Sequence, residues 1–228
     1  RTEAQRDALQ TMLNTSAPGQ FHVVLGLKHA EPRIESAIAA LAADGFRRVV
    51  ALVLAPHYSA LSVGQYLSRA KVAAEPLGIE VVGIESWATE PAFVNFTADQ
   101  VLAQLATLPP NSKVLFTAHS LPERVRTIEG DRYAGEIRAT VEAVAAVVGL
   151  NDWSQWAMAW QSAGRTQEPW LGPDILAVID ELADAENDAN RQQGVLVCAV
   201  GFVADHLEVL YDLDVEAATR ARARGLPS

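Results

Sequence analysis

The chain has 228 residues, 50% hydrophobic and 20% charged, with a formal net charge of −10. That composition is enough for a sizeable core, and its acidity argues against a nucleic-acid partner or an anionic membrane surface while suiting a divalent cation. The one cysteine, Cys198 in the apolar run 195–200, reads as a small core residue; alone it can build neither a disulfide nor an iron–sulfur cluster. No run is long and apolar enough to span a bilayer, and no signal peptide is visible. The chain starts at Arg1 without a Met, so a longer protein with further N-terminal sequence is expected.

Arg1 leads directly into a polar helical pattern. Residues 21–27 are predicted as a strand from their β-branched and aromatic content. Pro32 sits early in a predicted helix that runs to about Ala43, where Asp44-Gly45 ends it. Residues 47–54 form a second predicted strand, almost wholly apolar from Val49, which points to a parallel sheet buried on both faces. A helix over 62–75 and a third strand over 79–84 follow. After Glu90-Pro91 a helix is predicted to about Leu108, broken by Pro109-Pro110-Asn111. Then come strand 113–118, helix 133–148, strand 153–160, helix 174–185, strand 194–200 and a final helix from Asp205 to about Arg224. This alternation predicts an α/β protein of two similar Rossmann-like halves with parallel sheets. The division is placed at residues 1–88 and 89–228.

In open parallel sheets, ligands bind beyond the carboxyl ends of the strands, so the residues just after each strand are the ones to read for chemistry. His119 ends the buried strand 113–118. It is either bonded to a neighbouring carbonyl or serves as metal ligand or base. Glu208 could supply a partner carboxylate, leaving coordination positions open on a first-row ion. Asp212 and Glu216 continue an acidic line from Glu208, the alternative being a solvated helix face. In an ideal α-helix such a line drifts about 40° per four-residue step; a local π-turn would straighten it, and such turns favour functional sites. His206 points to a different helix face from Glu208 and reads as a supporting residue, with Asp205 as the helix cap. Trp153, Trp156, Trp160 and Trp170 crowd one segment, either as core or as walls for a flat apolar ligand. Tyr66 is an interface aromatic or a pocket wall. Lys28 and His29 either lie in a solvated loop or bind anionic substrate groups. No Walker-type loop, Gly-x-Gly-x-x-Gly fingerprint or CxxC pair is present, so the pocket does not look built for a nucleotide.

Several of these segments match a known family in order along nearly the whole chain. They are Gly26-Leu27-Lys28-His29-Ala30-Glu31-Pro32, Leu54-Ala55-Pro56-His57-Tyr58-Ser59, Glu85-Ser86-Trp87, Ala118-His119-Ser120-Leu121-Pro122, Trp160-Gln161-Ser162, Pro169-Trp170-Leu171-Gly172-Pro173-Asp174 and the stretch 201–216. On them the chain resembles the ferrochelatases, most of all the Gram-positive-type enzyme that metallates coproporphyrin III.

The resemblance implies two chelatase-type domains with a porphyrin cleft between them, and insertion of ferrous iron as the reaction of haem biosynthesis. It implies His119 and Glu208 as the catalytic and metal-facing pair, and Asp212 and Glu216 as an outward cation route or second site, with Mg²⁺ as one occupant. It implies Tyr66, Lys28, His29, Ser120 and Trp160 as porphyrin-cleft residues. No tightly bound cofactor or iron–sulfur cluster is implied, and the protein would be a cytoplasmic monomer. The family's first strand would lie before Arg1, and its last stretch beyond the final helix is missing here. The alternatives are a non-catalytic tetrapyrrole- or metal-binding fragment, or a chelatase for another metal or for protoporphyrin IX.

Overall fold

A computed structural model describes residues 1–184 and 193–227. The chain forms two compact units. The first comprises Arg1–Val53 with Leu61–Glu85, and the second Leu54–Ala60 with Ser86–Ser228. Whereas the sequence places one cut near residue 88, the short segment after the first strand belongs with the second unit.

In the first unit, α1 (Thr2–Ser16) buries no residue. α2 (Ile34–Ala43) and α3 (Val63–Ala74) cover one face of a two-stranded parallel sheet, β1 (Arg48–Leu52) and β2 (Glu80–Ile84). The strands pair from Arg48↔Glu80 to Leu52↔Ile84. Ile34, Ile38, Ala70, Ala74 and Ile79 form the core, with Val49, Val81 and Tyr66 packed on it. The strand expected over 21–27 does not form. Its backbone groups are engaged elsewhere: Val23 N–H donates to the Gln10 side chain at 2.7 Å, and Leu27 N–H to Pro32 O at 2.8 Å. Only the isolated bridge Leu27↔Arg33 remains. β-propensity without a ladder partner does not make a strand, so this half has two strands rather than three.

The second unit is built on a three-stranded parallel sheet in the order β4-β3-β5: β3 (Ser112–His119) in the centre, β4 (Trp156–Gln161) and β5 (Gly194–Ala199) at the edges. α4 (Pro91–Leu105) precedes the sheet, α5 (Tyr133–Val148) links β3 to β4, and α6 (Ile175–Asp184) follows β4. Ala185, expected as the end of α6, lies outside the described residues. β3 carries Val114, Leu115, Phe116 and Ala118 at 1% exposure or less, which is why its sequence shows no polar–apolar alternation. On one face, Leu115 and Ala159 pack with Ile175 and Ile179 of α6 and with Val209, Leu213 and Ala217 of the final helix.

That final helix has three consecutive stretches: α7 (Leu207–Val209), a π stretch (Leu210–Ala217) and α8 (Ala218–Ala223). The π stretch includes Asp212 and Glu216 of the acidic line. The helix cap is His206, not Asp205.

Candidate active site

β3 delivers His119 at its carboxyl end, in register with Gln161 of β4. The loop after β5 returns toward the same place. Gly201 N–H donates to Thr117 O at 3.3 Å, and a Cβ on Gly201 would lie 2.9 Å from Ala118 Cβ and 3.1 Å from Ala118 Cα. Only glycine permits that approach, and from it the chain enters the helix that carries Glu208. His119 Nε2 and Glu208 Oε1 stand 3.2 Å apart, so two residues 89 positions apart in sequence meet.

The hydrogen-bond chemistry of this pair is specific. His119 Nδ1 faces the Ser120 carbonyl, which can only accept, so Nδ1 carries its hydrogen. A neutral ring then turns the lone pair of Nε2 toward a carboxylate oxygen that also has only lone pairs. Two acceptors at this spacing are held together by a cation between them, either a proton or a metal ion. The side chains are 30% and 48% exposed. An ion pair this open contributes about 0–1 kcal/mol to folding, so the fold has little need of it.

His119 is held from behind. Tyr133 Oη donates to the His119 carbonyl at 2.9 Å, and burial pushes the Tyr133 phenol well above its usual range. Tyr133 packs against Trp160 at 5.9 Å and meets the edge of the His57 ring at 6.4 Å. His57 is 2% exposed and its Nε2 is 2.8 Å from Thr140 Oγ1. Thr140 donates in turn to Ala88 O, so His57 Nε2 is the donor in this pair. Nδ1 of His57 has no partner among the described residues, and burial lowers the pKa of this ring to about 4. The segment around His57 is fastened by two carboxylates. Asp131 accepts from Ser59 Oγ and Ala60 N–H, and Glu136 accepts from Tyr58 N–H and Ser86 Oγ.

The other residues singled out in sequence divide into groups. Asp212 accepts a hydrogen bond from Ser162 Oγ, and Ser162 takes the left-handed backbone conformation at φ 59°. Glu216 is exposed on the π stretch. Among the described residues no three His, Cys, Asp or Glu side chains gather closely enough to cage a metal. Glu208, Asp212 and Glu216 therefore do not form a three-carboxylate cage.

Ser120 is fully buried, its hydroxyl donating to Leu171 O at 2.7 Å and its N–H to Gln161 O at 2.7 Å. That hydroxyl is spent on holding the loop. Trp160 is 5% exposed and alternates to the sheet face opposite His119. The tryptophan cluster mostly packs on itself and its own neighbours. Trp153 stacks on Trp156 at 4.8 Å, and Trp170 fills the space beside Gly164, where a Cβ would lie 2.3 Å from its ring. In the first unit, Lys28 Nζ donates to Gln65 Oε1 at 2.6 Å and stands 5.3 Å from the Tyr66 ring centre, while His29 is exposed.

The sequence model of the ferrochelatase family matches residues 1–228. The chain belongs to the ferrochelatase family. It is 41% identical over 220 residues to the coproporphyrin III ferrochelatase of Oceanobacillus iheyensis, covering 94% of this chain and 68% of that protein. It is 40% identical over 221 residues to the coproporphyrin III ferrochelatase of Bacillus subtilis, covering 94% and 69%. It is 39% identical over 231 residues to the ferrochelatase of Herpetosiphon aurantiacus, covering 99% and 73%. In this ferrochelatase-family chain, sequence reasoning passed over Tyr133, Ser162 and Gly201 as supports of the site. Gly201 had a visible signal, a glycine directly after a predicted strand. Tyr133 looked like an ordinary helix start, and a left-handed serine leaves no mark in composition.

Proposed function

We propose that this chain inserts Fe²⁺ into a porphyrin, with coproporphyrin III as the substrate, in haem biosynthesis. The observation that carries the reading is the half-open pair of His119 Nε2 and Glu208 Oε1 at 3.2 Å. The family assignment and the coproporphyrin III relatives support the substrate class.

A flat porphyrin keeps its two pyrrole N–H groups directed inward, where a metal cannot reach the nitrogen lone pairs. Binding energy spent on bending the ring exposes them. Tyr66, Lys28 and His29 are the groups of the first unit proposed to contribute to that binding. Glu208 and His119 replace water on the arriving iron. Four Fe–N bonds form, and the two nitrogens that carry hydrogen give up one proton each. His119 Nε2, with Nδ1 already donating to Ser120 O, accepts them one after the other and hands the first to solvent at its exposed edge before the second leaves. A histidine nitrogen bonded to iron cannot take a proton at the same time, so Glu208 holds the ion while His119 accepts.

The outer donors Asp212, Glu216 and Ser162 are all oxygen, which suits a hard cation such as Mg²⁺. Carboxylates that form no cage suit a partly hydrated one. The protein is proposed to act as a monomer in the cytoplasm.

Anaerobic incubation with Fe²⁺ and either coproporphyrin III or protoporphyrin IX, followed in the visible bands, tests the reading. Metallation of coproporphyrin III that is lost in His119→Ala, with porphyrin binding retained, is the expected result. Full activity in His119→Ala would remove the mechanism. Haem retention without turnover would make the chain a binding module, and preference for another metal or for protoporphyrin IX would correct the substrate.

A further inference from the structure

Thr117 and Gln161 are each 1% exposed, and neither Thr117 Oγ1 nor either amide atom of Gln161 has a partner among the described residues. The register sets Thr117 beside Ala159 and His119 beside Gln161. Side chains alternate along a strand, so Thr117, His119, Ala159 and Gln161 share one face. Ala159 packs there with Val209, Leu213 and Ala217 of the final helix. The two orphaned polar side chains thus lie in the layer between the sheet end that carries His119 and the helix that carries Glu208.

Burying a hydroxyl and a carboxamide with nothing to bond is costly, and Val and Leu would fill the same space without that cost. Groups of this kind commonly mark a buried water, which takes two to four polar partners. A hydroxyl and a primary amide together supply donors and acceptors of both kinds.

We propose that Thr117 and Gln161 hold an ordered water site that ties β3 to β4 beneath the final helix and so fixes the sheet surface against which the helix carrying Glu208 is set opposite His119. Deeper in this layer apolar packing registers the helix on the sheet. At the His119 end the polar link to the helix is Ser162 on Asp212, and the water holds together the strand ends beneath it. Thr117 and Gln161 are positioning residues that touch neither iron nor porphyrin. The inference about iron handling rests on the function proposed above; the water site does not.

The test uses the whole chain and the variants Thr117→Val, Gln161→Leu and Thr117→Ser. Oxygen-17 relaxation dispersion counts long-lived buried waters. The count is expected to fall in Thr117→Val and Gln161→Leu and to stay in Thr117→Ser. In iron insertion, the first two are expected to lose about 10- to 100-fold in kcat/KM for Fe²⁺ with the porphyrin KM unchanged, while Thr117→Ser keeps activity. A Thr117→Val protein with a raised melting temperature, an unchanged water count and unchanged iron kinetics would overturn the proposal. A wild-type chain with no chelatase activity sinks the functional reading instead and leaves the water count to decide the site.

Discussion

His57 makes the second unit sensitive to acid in a way that can be calculated. Its ring lies between Thr140, Phe93 and Tyr133, with Nδ1 unpartnered among the described residues, so a second proton would place a charge where nothing accepts it. The folded pKa is about 4, against about 6.5 in the unfolded chain. Between those values the unfolded state binds more protons than the folded one, so stability falls as pH drops from about 6.5 to about 4 and levels off below. The full effect is about 3 kcal/mol, and the part lost between about pH 7.5 and pH 5 is about 2 kcal/mol. All five tryptophans lie in the second unit, so their fluorescence in a urea titration follows that unit. His57→Phe keeps a ring against Tyr133 and removes the titration. The wild type should lose about 2 kcal/mol more than the variant between the two pH values, whatever the substitution costs at neutral pH. Equal losses in both proteins would show that His57 is not protonated on unfolding and would refute the argument.

Three further outcomes are expected. Gly201→Ala should cost about 1–3 kcal/mol, because the new Cβ meets the backbone of β3 and not a flexible side-chain tip. It should also lower iron insertion by moving the loop that leads to Glu208, and unchanged unfolding and kinetics would contradict this. Tyr133→Phe removes the hydrogen bond to the His119 carbonyl and should lose about 1 kcal/mol in tryptophan-monitored unfolding, with a slower iron-insertion step at the same porphyrin KM. Burial pushes the Cys198 thiol up to about 12, so a thiol reagent at neutral pH should label the native protein far more slowly than the unfolded one; rapid native labelling would place Cys198 nearer the surface.

Much of the site could be read from the chain because its parts obey short-range rules. The unbroken apolar run before His119 defines a central parallel strand, and a residue at its end belongs at the crevice. The final helix is legible from its acidic spacing, but that spacing leaves open whether it runs as an ideal α-helix or takes a local π-turn, and the helix has a π stretch over Leu210–Ala217. Long-range facts were harder. Residues 21–27 have the composition of a strand, but only pairing makes one, and here Gln10 and Pro32 take their hydrogen bonds. Ser120 sits beside His119 in sequence, yet its hydroxyl turns inward to Leu171, a residue brought near only by the fold. Tyr133 supports His119 from the start of the next helix, and composition gives no sign of a bond to a backbone carbonyl 14 residues earlier.

The π stretch also limits how this helix can vary. A π-helix closes its ladder five residues back rather than four, so its row of carboxylates depends on chain count as much as on residue type. Losing one residue between Leu210 and Glu216 would shorten one of the two steps from four residues to three, and in α geometry that step turns back by roughly 60° while the other drifts forward by roughly 40°. Gaining one would carry Glu216 off the row altogether while leaving Glu208 beside His119. Substitutions can therefore tune the charge of this rail, whereas a single insertion or deletion derails it without touching an acidic residue.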